Sequence, residues 1–248
     1  MAKNTESNLY TILFATGMVV IVGALLAFLA ASLKDKITEN KRIEKQQNIL
    51  YAMGVNENDE TSVEFVSKSI VGSEFSKYIT KQIVITGTNV VENENAYLID
   101  LKKEKAAAKA ENRVRKLPLF IGNKDNTEYY IIPVRGKGLW DAIWGYVAID
   151  NQLVVQGVYF DHAGETPGLG SNIKERFFMD DFKGEHFLDG DLFKGISVSK
   201  GNSDPKNLDK TDFEVDAIAG STITGDGLAA MLKKDLKMYL PYLKTLKQ

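Results

Sequence analysis

The sequence predicts an α+β protein in which one N-terminal transmembrane helix precedes a single, mostly antiparallel α+β domain. Three observations support this prediction. A long uncharged segment lies near the N-terminus, short apolar segments alternate with polar turns, and an amphipathic helix closes the chain. The 248 residues are 44% apolar, which is sufficient to form one large hydrophobic core.

Composition excludes several classes of function. The chain has 31 Lys and Arg residues against 33 Asp and Glu, so it lacks the basic excess typical of nucleic-acid-binding proteins. It contains no cysteine, which excludes disulfides, thiolate metal sites and a cysteine nucleophile. Its two histidines, His162 and His186, cannot build a multi-histidine metal cage, and we assign no metal to the chain.

The segment Leu9–Leu33 contains 25 residues and no charge. As a helix it exceeds the roughly 30 Å hydrocarbon core of a bilayer. We therefore predict that residues 1–33 form a retained, single-pass membrane anchor. The alternative is a cleaved signal peptide, which calls for a more basic start and a shorter apolar core than this segment has.

Residues 34–248 are predicted to form one domain, with a helical, membrane-proximal part over residues 34–80. Apolar residues at helical spacing indicate helices over residues 34–53 and 63–79. Lys34, Lys36, Lys41, Arg42 and Lys45 follow the apolar span. By the positive-inside rule, this basic excess places the domain in the cytoplasm.

The remaining elements follow in chain order. Alternating apolar residues predict strands over 83–86, 96–101, 128–135, 140–149, 153–160 and 196–200. Helical turns are expected over residues 172–182, and a last helix is expected from Gly225 to Tyr239, ended by Pro241. Residues 101–116 are rich in alanine and lysine, and could form a basic patch for a partner or a solvated helix face. Helix propensity favours the solvated face.

Two glycine-rich loops are candidates for a binding site. Gly136-Lys-Gly-Leu-Trp140 permits close approach of a flat ligand, although this motif taken alone favours an ordinary hairpin turn beside core tryptophans. His162-Ala-Gly-Glu-Thr-Pro-Gly-Leu-Gly170 follows a strand and is rich in backbone donors. His162 beside Glu165 could suggest acid–base chemistry, but no nucleophile accompanies the pair, so we favour a loop hydrogen bond for His162.

A third loop, from Asp216 to Gly225, precedes the last helix and contains three hydroxyl residues, Ser221, Thr222 and Thr224. N-capping of the helix explains one of these hydroxyls well, and three less well. A helix N-terminus also stabilises a phosphate, so a threonine here could hold a phosphate or carry one covalently.

Together, the N-terminal anchor, GKGLW, ETPGLG and D-x-x-A-G-S-T-x-T resemble the covalent FMN-binding domain family of bacterial respiratory complexes. The resemblance covers essentially the full chain and is closest to the C subunits of Na⁺-translocating NADH:quinone reductases. The G subunits of Rnf-type complexes share the domain. In this family a threonine is joined to the FMN phosphate by a phosphoester bond, which a flavin transferase installs with FAD as donor.

The resemblance implies specific site residues. By position, Thr222 is the phosphoryl threonine, and Asp216 is the upstream acid of the motif. The chain departs from the family pattern at Ala219, where a hydroxyl residue is usual, and at Ser221, where alanine is usual. Lys200 is a candidate cation for the phosphate or a plain surface lysine. The full set of expected cofactor-binding residues is Gly138, Trp140, Glu165, Thr166, Leu169, Gly170, Lys200, Asp216, Gly220, Ser221, Thr222 and Thr224.

The resemblance also implies a function. It predicts one covalent FMN per chain and electron transfer to another flavin subunit of a six-subunit complex that moves electrons from NADH to ubiquinone and drives Na⁺ outward. It places the chain in the inner membrane with its flavin domain on the periplasmic side, opposite to the charge pattern. Because other subunits can impose topology, we follow the resemblance here.

Two alternatives stay open from the sequence. The chain could be the G subunit of an Rnf-type complex, with ferredoxin and NAD as the redox couple. It could also be a non-redox, membrane-anchored binding module whose hydroxyl cluster only caps a helix.

Overall fold

A six-stranded antiparallel sheet forms the centre of the domain. We describe the protein from a computed structural model, which covers residues 7–59, 62–201, 204 and 207–246. The six strands are β1 (Ile79–Thr86), β2 (Asn89–Glu92), β3 (Leu117–Lys124), β4 (Thr127–Lys137), β5 (Ala142–Ile149) and β6 (Val155–His162). Their spatial order is β2-β1-β3-β4-β5-β6. Within the described residues, the only parallel pairing joins the two short strands β9 (Ser197–Val198) and β10 (Glu214–Val215), and β7 (Leu188–Asp189) pairs antiparallel with β8 (Leu192–Phe193).

The register of three strands brings two loops to one edge of the sheet. Ile143 in β5 lies opposite Gly136 in β4 and opposite His162 in β6. The loop that leaves β4 and the loop that leaves β6 therefore begin at the same end of the sheet, on either side of β5. These are the two glycine-rich loops that the sequence analysis selected.

Five α-helices accompany the sheet: α1 (Asn8–Ala52), α2 (Val71–Tyr78), α3 (Leu101–Ala110), α4 (Arg176–Met179) and α5 (Thr222–Leu243). Helix α5 packs on the sheet through a buried apolar face that includes Leu228, Leu232 and Leu236. Tyr239 is also buried, and its hydroxyl donates a hydrogen bond of 2.9 Å to the Pro118 carbonyl. This contact ties α5 to β3.

Helix α5 differs from its predicted bounds at both ends. It begins at Thr222 rather than Gly225, and it continues through Pro241 to Leu243. The prediction that Pro241 ends the helix was wrong. A proline in the last turn removes one backbone hydrogen bond, whereas Leu243 beyond it is fully buried, so tertiary packing holds the final turn.

Helix α1 runs through the predicted anchor and the predicted helix over residues 34–53. By length and composition it could cross a membrane, since an 18-residue window has a mean hydropathy of 2.7. The chain divides into two compact units between Arg42 and Ile43. In the second unit, the end of α1 contributes buried side chains to the core, among them Ile49 and Leu50.

The predicted helical part over residues 34–80 is helical at its two ends. Between Ala52 and Val71, the residues that the structure describes, 53–59 and 62–70, form turns and irregular segments. Polar side chains form hydrogen bonds with the backbone in this segment. For example, Asn58 Oδ1 accepts a hydrogen bond of 2.7 Å from the Glu64 N–H. Such local bonds compete with helix formation. The helix predicted over residues 63–79 is therefore wrong for residues 63–70 and confirmed for Val71–Tyr78.

Other differences have local causes. Ala96–Leu98 forms a turn of 3₁₀ helix rather than a strand. Strand β3 was not predicted because it contains Pro118 and Gly122, and because its first six residues are all buried and do not alternate. Helix α3 begins at an Asp100 cap, whose carboxylate accepts from the Lys102 and Lys103 N–H groups. The helix ends at Ala110, short of the predicted Lys116.

Candidate functional site

Three segments that are distant in sequence meet at one cleft of about 280 Å³. They are the loop after β4, the loop after β6 and the start of α5. The residues lining the cleft are Leu139, Glu165, Thr166, Leu169, Gly170, Gly220, Ser221, Thr222, Ile223 and Thr224. The structure thus brings together parts of all three loops that the sequence analysis selected.

Glu165 connects the three segments. Its side chain is 4% exposed. One carboxylate oxygen, Oε1, accepts from the Trp140 N–H at 2.9 Å and from the Asp141 N–H at 3.4 Å. The other, Oε2, accepts from the Leu139 N–H at 3.3 Å and from the Thr224 hydroxyl at 2.5 Å. All four bonds hold protein segments, so Glu165 organises the cleft.

The charge of Glu165 is stabilised by these bonds. Burial by itself raises the pKa of this carboxyl, but the donors from Thr224 and from the backbone of the 139–141 loop outweigh burial. The pKa of Glu165 therefore lies below its ordinary value, and the side chain is a carboxylate at neutral pH.

Two glycines make this close packing possible. A Cβ at Gly138 would lie 2.6 Å from Glu165 Oε1, and a Cβ at Gly170 would lie 2.5 Å from Thr224 Oγ1. Any side chain at either position would push the loop away from the carboxylate. The two predicted glycines are therefore required by the internal packing of the site.

The hydroxyl residues at the start of α5 differ in environment. Thr224 is 1% exposed, and its hydroxyl is committed to Glu165. Thr222 is exposed, and its hydroxyl makes no hydrogen bond to any part of the chain that the structure describes. Ser221 occupies the N-cap position but makes no side-chain cap bond, and its buried Oγ has no partner among the described residues. Capping therefore does not account for the cluster.

The rim of the cleft is apolar and open to solvent. Trp140 is 66% exposed, and its indole N–H donates to Thr166 Oγ1 at 3.1 Å. Leu169 is also exposed. Leu139 and Ile223 complete the rim and were missed by the sequence analysis. Both lie inside the motifs GKGLW and D-x-x-A-G-S-T-x-T, which could have indicated them.

Four predicted residues do not line the cleft. Gly138 and Trp140 lie beside it, where Gly138 packs against Glu165 and Trp140 is bonded to Thr166. Lys200 is exposed and pairs with Asp226 at 3.8 Å on the solvent side of α5. Asp216 follows β10 and belongs to a different, acidic environment, where burial and the nearby Asp204 raise its pKa. His162 is a loop hydrogen-bonder, as favoured above, since its Nδ1 accepts from the Glu165 N–H at 3.1 Å.

Known proteins are similar to this chain in sequence and in fold. Residues 138–237 match the family described as the FMN-binding domain, and this range contains all three segments of the cleft. The chain is 26% identical to the C subunit of the Na(+)-translocating NADH-quinone reductase of Vibrio parahaemolyticus, over 92% of this chain and 90% of that protein. It is 25% identical to the C subunit of the Neisseria meningitidis serogroup B enzyme, over 100% of this chain and 98% of that protein.

The crystal structure of the C subunit from Parabacteroides distasonis superposes with a TM-score of 0.71 at 31% identity, over 85% of this chain and 96% of that chain. The chain belongs to the family of Na(+)-translocating NADH-quinone reductase C subunits. The fold of a second structure, Shewanella oneidensis NqrC, is also shared, with a TM-score of 0.63. Membership in this family of C subunits and the predicted α+β class are both confirmed.

Proposed function

We propose that this chain is the membrane-anchored flavoprotein subunit of a Na⁺-translocating NADH:quinone reductase, and that it carries FMN on Thr222. The observation that carries the proposal is the contrast between Thr222 and Thr224. Thr222 presents an exposed hydroxyl at the edge of the cleft, whereas the Thr224 hydroxyl is buried against Glu165. A modifying enzyme can reach Thr222 without unfolding the site.

The start of α5 fits a phosphate. Thr222 is the first residue of the helix, so the N–H groups of Thr222, Ile223 and Thr224 have no partner within the helix. These donors and the helix dipole stabilise the negative charge of a phosphodiester. Ser221 Oγ, buried and unpartnered among the described residues, is one further group that can donate. Lys200 can contribute at longer range only, since it pairs with Asp226.

The rim of the cleft fits a flat aromatic ring. The indole of Trp140 is held by its bond to Thr166, and Leu169 lines the cleft. Exposed apolar residues that cluster at a cleft mark a ligand-binding or partner-binding site. Within this loop the Gly168 and Leu169 N–H groups already donate to Ser171 Oγ and to the Thr166 carbonyl, so the Thr166 and Gly170 N–H groups would face the polar edge of the ring and favour negative charge on it.

FMN supplies reversible electron acceptance and donation when bound. Its attachment would form a bond between Thr222 Oγ1 and the FMN phosphorus. The pyrophosphate bond of FAD breaks, AMP leaves, and the threonine loses its hydroxyl proton. A flavin transferase would carry out this reaction, and one FMN would be attached per chain.

The proposal extends to the complex. The chain would receive electrons from one redox centre and pass them to another flavin subunit of a six-subunit assembly that oxidises NADH, reduces ubiquinone and exports Na⁺. The relatives described above are C subunits, which favours this function over that of an Rnf-type G subunit. Helix α1 would anchor the chain in the inner membrane with the flavin domain on the periplasmic side.

Intact mass tests the attachment site. After co-expression with the flavin transferase, the full chain should gain the mass of one FMN less one water, located on the peptide that contains Ser221–Thr224. Thr222→Ala should abolish the gain, and Thr222→Ser should retain it. Thr224→Ser is the matched control, because serine keeps a hydroxyl that can donate a hydrogen bond to Glu165. This variant should be modified like the wild type.

Two outcomes would contradict the proposal. Modification that persists in Thr222→Ala would move the acceptor to another residue. A wild-type chain without added mass or flavin fluorescence in a denaturing gel would instead support a non-redox binding module.

A further inference from the structure

A second cavity, of about 240 Å³, lies between α3, α5 and the β4–β5 hairpin. It shares no lining residue with the proposed FMN cleft. Part of its lining comes from α3, the lysine-rich helix for which the sequence favoured a solvated face. Its lining residues are Leu101, Lys102, Lys105, Arg115, Arg135, Lys137, Asp141, Ala142 and Lys234. Six of these nine side chains are cationic.

Few carboxylates balance these cations. Among the described residues, one of the six has a carboxylate partner within ion-pair distance: Lys234 Nζ lies 3.8 Å from Asp235 Oδ1. Asp235 is buried behind the cavity, and its other oxygen accepts from the Arg135 N–H at 2.7 Å. Asp141 is the second nearby carboxylate, and one of its oxygens accepts from the Ala142 N–H. Six cations face two carboxylates, in a chain whose net charge is −2.

Two of the cations also repel each other. Lys105 and Lys234 both line the cavity, and the positive charge of Lys234 lowers the pKa of Lys105. Nε of Arg115 is buried and has no acceptor among the described residues. Like charges that repel each other and a buried, unpartnered guanidinium nitrogen are both unfavourable unless an anion lies between them.

We propose that this cavity is a binding site for a dianionic phosphate group, of the kind carried by a phosphomonoester. The excess of positive charge favours a dianion over the single charge of a phosphodiester. The cations come from α3, β4, α5 and the segment before β3, so they can surround a tetrahedral anion. Lysine and arginine donors form short, charge-assisted hydrogen bonds to phosphate oxygens.

Calorimetric titration of the full chain in detergent with inorganic phosphate, at constant ionic strength, tests the proposal. We expect saturable binding to the wild type. Lys105→Gln and Lys234→Gln should each raise the Kd by roughly tenfold, the contribution of one hydrogen bond to a charged group. Lys109→Gln on α3 and Lys237→Gln on α5 are matched controls, since both lysines are exposed and neither lines the cavity, and they should leave the Kd unchanged.

A second measurement uses the repulsion between the two ammonium groups. Without phosphate, Lys105→Gln should raise the Tm by about 1–3 °C, because it removes this repulsion. With saturating phosphate, the wild type should have the higher Tm of the two, because it binds phosphate more tightly and is stabilised more by it. A purely structural role for Lys105 would not produce this reversal.

A titration of the wild type with dimethyl phosphate distinguishes two kinds of ligand, a soluble phosphomonoester and a lipid headgroup. Dimethyl phosphate is a monoanionic diester, like the phosphate of a phospholipid. It should bind much more weakly than inorganic phosphate. Equal binding of the two would overturn the assignment to a dianion. Absence of saturable phosphate binding, or an equal loss in the Lys109→Gln control, would overturn the site itself.

Discussion

At the scale of single residues, the Glu165 carboxylate holds together the segments that form the cleft. It accepts four hydrogen bonds from the two other segments of the cleft. Glu165→Gln would replace one acceptor by an amide NH₂ that faces N–H or O–H donors. We expect a loss of about 2–3 kcal/mol in the free energy of unfolding, measured by denaturant titration.

Glu175→Gln provides the control for this substitution, because Glu175 is exposed and its side chain makes no hydrogen bond within the described residues. It should leave stability within about 0.5 kcal/mol of the wild type. If the two variants were equally stable, Glu165 would not hold the cleft together.

Glu185 makes stability depend on pH. It is fully buried, its Oε2 has no partner among the described residues, and burial raises its pKa from 4.5 to about 7, against the opposing effects of Asn207 and Lys210. The folded state therefore binds this proton more tightly than the unfolded state. The stabilisation is complete below pH 4.5 and is lost as the pH rises through about 7. Asp181, with a pKa raised to about 6 mainly by burial, acts in the same direction.

Glu185→Gln should remove part of this dependence. We expect the variant to be more stable than the wild type at pH 8, by on the order of 2 kcal/mol, and similar to it at pH 5. Thermal unfolding at both pH values measures the difference. Glu94→Gln, at an exposed position, should keep the wild-type profile. A variant profile parallel to that of the wild type would show that another group titrates.

At the scale of secondary-structure elements, the contact between α5 and β4 depends on Gly227. A Cβ at this position would lie 2.4 Å from the Lys137 carbonyl oxygen, which belongs to the backbone and cannot rotate away. Gly227→Ala should therefore displace α5 from β4, at a cost of about 2–3 kcal/mol in unfolding free energy. Because α5 carries Thr222, FMN attachment should fall in the same variant.

Gly72→Ala is the matched control for Gly227→Ala. Gly72 is also helical, in α2, and a Cβ there would meet nothing within 4 Å. Alanine favours helix over glycine, so this variant should gain about 0.5–1 kcal/mol. The same chemical change would thus have opposite effects in two helices. Destabilisation of both variants to an equal extent would contradict the packing argument.

Helices and strands were predictable where the spacing of apolar residues within the element itself follows a helical or an alternating period. Strand β4 and the body of α5 were predicted from alternation and helical spacing, respectively. Strand β3 was not predicted, because burial on both faces removes alternation and Pro118 and Gly122 resemble a turn. Helix α5 extends beyond its prediction at both ends because tertiary contacts of Thr224 and Leu243 stabilise its first and last turns.

At the scale of the whole molecule, the second compact unit begins at Ile43 and includes the end of α1. A chain that begins at Ile43 should therefore fold without detergent, with a cooperative thermal transition. A chain that begins at Val55 loses Ile49, Leu50 and their buried neighbours, and should lose that transition. Circular dichroism during heating compares the two. Cooperative unfolding of the shorter chain would show that α1 is dispensable to the core.

The side of the membrane can be tested because the chain has no cysteine. Lys109→Cys places one exposed thiol on α3 of the flavin domain. In intact cells, an impermeant maleimide should label it if the domain is periplasmic, as we propose. A second variant, Glu94→Cys, should behave identically. Protection of both thiols until the cells are lysed would place the domain in the cytoplasm, as the basic residues after the apolar segment predict.

The sequence alone was sufficient for features that depend on neighbouring residues: the long apolar helix, the α+β class and the three motifs of the cleft. It could not decide features that depend on residues far apart in the chain. Thr224 meets Glu165 across 59 positions, and this contact leaves Thr222 as the exposed hydroxyl. Likewise, Lys105 and Lys234 become neighbours only after folding. Local patterns record propensity, whereas burial and the pairing of charges are properties of the assembled tertiary structure.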